Sequence, residues 1–206
     1  MYKGNRYFLN EKTTLEKLVK MQHYRLPTRL LDITSNPLVA LFFACQRYKN
    51  QNVNGKVYVF KIHKEEIKYF DSDAVSLIAN LAKLNIDKTN FRNGFGALIH
   101  EIRDEKPQFT GTLKAENKGD IIKVFPVKVK LNNNRIVRQS GAFLIFGMEN
   151  IASKEKAALF PDKNIEKEII INEYIKGDIC NSLDSLAINN NTLFPELEYQ
   201  ANYLDR

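Results

Sequence analysis

A strong helix start is followed by an apolar run near the N-terminal end of the chain. Ser35-Asn36-Pro37 places a capping side chain directly before a proline at the first helical position, where the missing N–H of proline costs nothing. The next seven residues, 38–44, are all apolar. A helix that is apolar on every face has to be covered on every face, so the sequence predicts a buried helix over residues 37–48.

Strand and helix signals surround this helix without regular alternation. A capping box at residues 13–16 begins a helix that ends before Pro27. β-Branched and alternating runs predict strands, and caps followed by helical spacing predict helices. The predicted strands cover residues 28–32, 56–62, 121–131, 141–147 and 165–171, and the further predicted helices cover residues 72–82, 97–104, 174–182 and 195–204. This order favours an α+β fold, which we predict as a single domain over residues 1–206.

The expected domain has a central, mostly antiparallel sheet with flanking helices. Pro126 lacks a backbone N–H, so we place its strand at an edge or a bulge of that sheet. The helix over residues 37–48 is expected to pack behind the sheet. The predicted core includes Leu38, Ala40, Leu41, Phe42, Ala44, Phe143 and Ile145.

Composition excludes several classes of protein. No apolar run is long enough to cross a bilayer, and no secretory signal opens the chain, so we expect a cytoplasmic protein without membrane contact. Cys45 and Cys180 are 135 positions apart, which argues against a disulfide scaffold or a zinc site, and we expect no metal. There is no G-x-S-x-G, P-loop or HExxH motif. A net charge of +7 permits nucleic-acid binding, although the lysines are scattered.

The segment from Gln22 to Asn36 carries the densest set of polar side chains. Arg29 is a bidentate donor for phosphate, and the start of the following helix is a ready anion site, so together they could hold a pyrophosphate. The alternative is that Arg29 pairs with Asp32 and that Ser35 or Asn36 only caps the helix. Spacing alone leaves both interpretations open.

The same segment resembles a known family. Residues 22–44 read QHYRLPTRLLDITSNPLVALFFA, which is similar to the hallmark of the FRG domain, with Arg25 where that family usually has glycine and Ile33 where it usually has an aromatic residue. Residues 70–84, 105–109, 133–147 and 192–204 resemble later blocks of the family. The aromatic-Arg-Gly motif that names the family is not found, because Tyr2-Lys3-Gly4 lacks the arginine. We therefore expect a divergent or N-terminally truncated member.

The resemblance invites comparison with mono-ADP-ribosyltransferases, and it implies an ADP-ribosyltransferase-like fold that binds NAD. Residues 32–35 imitate the Ser/Thr motif of those enzymes, and residues 135–146 are placed like their late catalytic strand. By this comparison the residues that bind NAD are Arg29, Asp32, Thr34, Ser35, Asn36 and Arg135, and the catalytic residues are Gln139 and His23. We expect them to line one polar pocket.

One difference bears on catalysis. The late strand of the transferases carries a glutamate that stabilises the oxocarbenium-like charge as nicotinamide leaves, and this chain offers Gln139 instead. Glu101 and Glu105 could substitute, or they could form a solvated helix face.

Two functions follow from the resemblance. The first is an ADP-ribosyltransferase-like domain that modifies a macromolecule in a bacterial toxin or phage-defence context. The alternative is a non-catalytic module that binds a nucleotide, a nucleic acid or a protein.

Overall fold

A computed structural model describes residues 7–47, 53–84, 91–109, 119–130, 133–148 and 164–195. The chain forms two compact units that alternate along the sequence. The first unit comprises Met1–Leu31, His63–Val129 and Phe143–Phe160, and the second comprises Asp32–Ile62, Lys130–Ala142 and Pro161–Arg206. The single-domain assignment stays a prediction.

Sequence signals mark both ends of the first α-helix among the described residues. Helix α1 (Thr14–His23) has Thr13 as its N-cap and a complete capping box with Glu16, as predicted. At its end, the N–H of Leu26 donates to the carbonyl of Met21 and the N–H of Arg25 donates to that of Gln22. This is a Schellman motif, which requires the left-handed conformation that Arg25 adopts, with φ of 62°. Glycine would adopt this conformation without strain, whereas the Cβ of Arg25 is strained in it.

The strands of the described residues form two sheets. The first has the order β1 (Leu30–Thr34), β5 (Gly141–Phe146), β4 (Val124–Lys128) and β3 (Lys68–Tyr69), and the second pairs β2 (Gly55–Phe60) with β6 (Ile165–Ile171). β4 is antiparallel to β5 but parallel to β3, and β2 is antiparallel to β6. The fold is therefore a mixture of α and β with a mixed sheet and flanking helices. The described strands form two sheets instead of the one expected, and two of these three pairings are antiparallel.

The position of Pro126 differs in one respect from the prediction. Its strand β4 has neighbours on both sides, so it is an inner strand. However, β3 pairs only with Val127 and Lys128, whereas Pro126 pairs only with Leu144 of β5. A proline is tolerated here because no partner from β3 reaches its missing N–H.

The first unit has an apolar core with a polar network at its edge. Helix α3 (Asp73–Asn80) packs against α1 and against α4 (Phe91–Glu105). Asn80 is fully buried and donates hydrogen bonds to the carbonyl of Ser76 and to Glu105. The hydroxyl of buried Thr14 lies within hydrogen-bonding distance of side-chain oxygens of both Asn80 and Glu105. The buried polar groups of α1, α3 and α4 therefore satisfy one another.

The second unit is built around helix α2 (Pro37–Cys45), which packs against β2 and against helix α6 (Lys176–Ser185). Its core consists of Val39, Phe42, Leu183, Leu193 and Phe194. A Cβ added at Gly55 would lie 2.1 Å from the carbonyl oxygen of Ala44, so α2 and β2 approach each other too closely for any side chain there.

Burial on α2 is one-sided, which corrects the expectation that this helix is covered all round. Val39, Phe42 and Cys45 are buried, whereas Phe43 is 41% exposed and Leu38 is 36% exposed. Of the other predicted core residues, Phe143 and Ile145 are buried, and Ala40, Leu41 and Ala44 are partly buried. Apolar composition alone did not reveal which face of the helix meets the core.

Two short helices and three 3₁₀ turns complete the description. A short helix α5 (Asn134–Arg138) precedes β5, and helix α7 (Asn190–Leu193) follows α6. Three 3₁₀ turns cover Lys64–Glu66, Leu81–Lys83 and Glu173–Ile175. The predicted helix over residues 195–204 and the Tyr2-Lys3-Gly4 segment fall outside the described residues, Pro195 excepted. Within the described ranges, no helix has the length and apolar character needed to span a membrane.

Candidate functional site

The residues predicted to line one pocket are divided between the two units. His23 and Arg29 belong to the first unit. The second unit contains Asp32, Thr34, Ser35, Asn36, Arg135 and Gln139. The single pocket stays a prediction, and the two groups are described separately below.

The polar residues at the end of β1 and directly after it are held by backbone groups of the second unit. Thr34 Oγ1 donates to the carbonyl of Gln139 at 2.7 Å and accepts the N–H of Asn36 at 3.0 Å. The N–H of Ser35 donates to the carbonyl of Ser140 at 3.1 Å, and the Ser35 hydroxyl lies 3.4 Å from the same oxygen. These bonds join two segments that are distant in sequence, so Thr34 and Ser35 have structural partners.

The start of α2 was the predicted anion site, and its N–H groups are already engaged. Pro37 has no N–H, the N–H of Leu38 donates to Asn36 Oδ1 at 2.9 Å, and those of Val39 and Ala40 both point to the carbonyl of Asn36. Asn36 is thus the N-cap that the sequence predicted. A pyrophosphate at this helix start would have to displace the cap.

Arg135 and Gln139 belong to the short helix α5 and to its C-terminal cap, not to a strand. β5 begins at Gly141, as the sequence predicted, so Arg135 and Gln139 precede the strand, whereas the catalytic residue of the transferases lies on it. The guanidinium of Arg135 lies over the ring of Phe194, 4.7 Å from its centroid. Gln139 Nε2 donates to the carbonyl of Leu193 at 3.1 Å. Both side chains therefore contact the C-terminal end of α7, Gln139 at Leu193 and Arg135 at the capping residue Phe194.

Arg29 differs from these residues because most of its donors have no partner within the described part of the chain. Its side chain is partly buried and makes one hydrogen bond, from Nη1 to the carbonyl of Phe146 at 2.8 Å. The N–H of Phe146 in turn donates to the carbonyl of Arg29 at 2.9 Å, which fixes the backbone beside the guanidinium. Among the described residues, no ion pair involves Arg29. Burial lowers the pKa of this guanidinium, as expected for a desolvated cation.

His23 and the two candidate acids have different surroundings. His23 is partly buried in the last turn of α1, and its ring centroid lies 5.7 Å from that of Tyr24. Glu101 forms an ion pair with Lys83 at 3.0 Å, and Glu105 pairs with the same lysine at 2.8 Å. Burial alone would raise the pKa of Glu105, but hydrogen bonds from Lys83, Thr14 and Asn80 outweigh it and hold that pKa below its usual value. Glu105 therefore belongs to a buried structural network.

Comparison with known proteins supports the resemblance drawn from residues 22–44. Residues 3–53 match the family model of the FRG domain. This FRG segment includes α1, β1 and α2 and six of the predicted site residues, namely His23, Arg29, Asp32, Thr34, Ser35 and Asn36. Arg135 and Gln139 lie beyond it. No curated protein and no solved structure matches the chain. The relation to ADP-ribosyltransferases and the later family blocks stay predictions.

A cavity of the second unit was not anticipated from the sequence. It has a volume of about 1190 Å³ and is lined by the end of α2, by α6 and by the turns around α6. Helix α2 is part of the FRG segment. Cys45 and Cys180 both line the cavity, together with Lys176, Glu173 and Asp184. Sequence spacing did not indicate that Cys45 and Cys180 share a cavity, because this depends on how α2 packs against α6. Among the described residues, no cluster of three or more histidine, cysteine or acidic side chains could hold a metal ion.

Proposed function

We propose that this chain is a nucleotide-binding module in which Arg29 of the FRG segment binds a phosphate group, with NAD as the first ligand to test. The observation that supports it is the state of Arg29: its guanidinium is partly buried and, among the described residues, its side chain has one carbonyl partner. A guanidinium has five N–H donors arranged to match phosphate or carboxylate. The donors that Arg29 leaves unused are suited to such an anion.

The partial burial of the Arg29 guanidinium favours the binding of an anion. Burying a cation costs free energy, and an anion that approaches it recovers part of that cost through charge-assisted hydrogen bonds. The carbonyl of Phe146 holds Nη1, so the guanidinium is oriented before a ligand arrives. Less side-chain entropy is then lost on binding, which favours affinity.

The fit to NAD is partial, and this limits the proposal to binding. Arg29 is suited to one phosphate, whereas the N–H groups at the start of α2 are occupied by the Asn36 cap. The residue proposed in place of the catalytic acid is Gln139, which is neutral and donates its amide to the carbonyl of Leu193. A carboxamide does not stabilise oxocarbenium-like charge as a carboxylate does. We therefore favour the non-catalytic alternative over ADP-ribosyl transfer.

A labelling experiment separates binding from transfer. Purified protein is incubated with labelled NAD and a cell lysate, and in parallel its melting temperature is measured with NAD, ADP or pyrophosphate. The proposal predicts no transferred label and a higher melting temperature with each ligand, because ligands that prefer the folded state stabilise it. Transfer of label that is lost in Arg29→Ala would instead establish the enzyme.

The absence of both label transfer and thermal stabilisation would contradict the proposal. If no phosphate-bearing ligand raises the melting temperature, Arg29 is not a nucleotide site and the proposal is wrong. The +7 charge then makes nucleic acid the next class to test, by the salt dependence of its binding.

A further inference from the structure

The two cysteines of this chain come together in the second unit. Cys45 is the last residue of α2, and Cys180 lies in the middle of α6. These helices pack against each other, and both cysteines line the same cavity although they are 135 positions apart in sequence. Both are free thiols.

The surroundings of the two thiols differ. Burial raises the pKa of the Cys45 thiol, and the adjacent Cys180 thiol, which hydrogen-bonds to it, raises it further, while Lys176 acts in the opposite direction. Cys180 is partly exposed, and Lys176 lies one helical turn before it on α6. Cys180 is therefore the more accessible of the two thiols to a reagent that enters the cavity.

We propose that Cys45 and Cys180 form an oxidation site in which a hydroperoxide converts the two thiols into an intramolecular disulfide. In the first step the Cys180 sulfur attacks a peroxide oxygen, an S–O bond forms, the O–O bond breaks, and water leaves when the reagent is hydrogen peroxide. In the second step the Cys45 sulfur attacks the Cys180 sulfur, so that an S–S bond forms, the S–O bond breaks and a second water leaves. Two thiols lose two electrons and two protons, and the peroxide accepts them.

This order of attack follows from access. Nucleophilic attack requires an accessible sulfur, which Cys180 has. Cys45 is buried beside it, where it is protected from bulk oxidant but lies next to the sulfenic acid formed on Cys180. That is the arrangement of an attacking thiol with a resolving thiol. The inference does not depend on nucleotide binding.

Titration of the full chain with hydrogen peroxide tests the proposal. Because the chain has only two cysteines, the count of free thiols should fall from two to zero per chain, and the mass should fall by two hydrogens. The product should run as a monomer on a non-reducing gel, and dithiothreitol should restore both thiols. The melting temperature of the oxidised chain should rise, because the cross-link closes a long loop in the unfolded state.

Single variants test the order of the steps. Cys45→Ala should still react but should stop at a sulfenic acid that dimedone traps on Cys180, whereas Cys180→Ala should react at least about tenfold more slowly. Circular dichroism melts of both variants show whether they are folded when they are assayed. Covalent dimers, sulfinic acid on both cysteines of the wild type, or two thiols that survive the peroxide would overturn the proposal.

Discussion

The hydroxyl of Thr34 donates a 2.7 Å hydrogen bond to the backbone carbonyl of Gln139, 105 positions further along the chain. Thr34 was predicted to bind NAD and Gln139 to be catalytic, and this hydrogen bond gives both residues a structural role. The same oxygen of Thr34 accepts the N–H of Asn36, the residue that caps α2. Thr34 therefore couples the start of α2 to the end of α5.

Replacing Thr34 by valine should destabilise the fold. Valine keeps the shape but removes the hydroxyl, which leaves the Gln139 carbonyl and the Asn36 N–H without this partner, at a cost of about 1–3 kcal/mol. Thr34→Ser retains the hydroxyl and should recover most of the loss. Urea denaturation measures both variants, and equal free energies of unfolding for valine and serine would contradict the structural role of this bond.

The one-sided burial of α2 predicts opposite outcomes for two adjacent phenylalanines. Phe42 is 5% exposed and Phe43 is 41% exposed. Phe42→Ala should cost about 3–5 kcal/mol of unfolding free energy, whereas Phe43→Ala should cost about 1 kcal/mol, since it loses mainly edge contacts with two rings. Thermal and urea unfolding of the pair check this. Similar losses at both positions would mean that α2 is covered on both faces.

Glycine should be preferred over alanine at position 25. Arg25 holds the left-handed conformation that closes the Schellman motif of α1. Both Arg25→Gly and Arg25→Ala remove the contacts of the long side chain, but only glycine removes the Cβ strain. The glycine variant should therefore be about 1 kcal/mol more stable than the alanine variant. An alanine variant of equal stability would show that this residue is not strained.

Glu105 should make stability depend on pH in the acidic range. Burial opposes its ionisation, but bonds from Lys83, Thr14 and Asn80 prevail and lower its pKa in the folded chain. A lowered folded pKa contributes stability above the unfolded value, about 4.3, and this contribution is lost as pH falls through the folded pKa. The gap in unfolding free energy between wild type and Glu105→Gln should thus be largest near pH 7 and should shrink below about pH 4.

An exposed glutamate provides the control for that series. Glu65 lies in a 3₁₀ turn and is exposed, so Glu65→Gln should follow the wild type at every pH. A gap for Glu105→Gln that stays constant down to pH 2 would contradict the network as the source of the effect.

Local signals in the sequence predicted element starts correctly. Thr13 and Asn36 cap their helices as expected, because a cap depends on residues only two or three positions away. Side-chain partners were harder to predict, because they depend on packing between distant segments. The carbonyl that Thr34 binds, the ring beneath Arg135 and the meeting of Cys45 with Cys180 all come from tertiary contacts.

The contacts of the candidate site residues were likewise not predicted from the sequence. The FRG pattern indicated the segment that the family model matches, and it placed Arg29 among the candidate ligand-binding residues, a role that stays a prediction. It could not indicate that the N–H groups of α2 are occupied, or that Gln139 ends a short helix before β5. The strand at residues 141–147 was predicted, but the short helix α5 before it was not, because periodicity over five residues is too short to indicate a helix.

The central claim is that Arg29 binds phosphate, and calorimetric titration with NAD and with pyrophosphate tests it most directly. The comparison is between Arg29→Gln and Arg103→Gln, which remove the same charge from the first unit at a partly buried and at an exposed position. The account predicts that Arg29→Gln weakens binding of both ligands by about tenfold or more, the size of a lost charge-assisted hydrogen bond, while Arg103→Gln changes it less than about twofold. Equal weakening by the two substitutions would reduce Arg29 to one charge among many and contradict the claim.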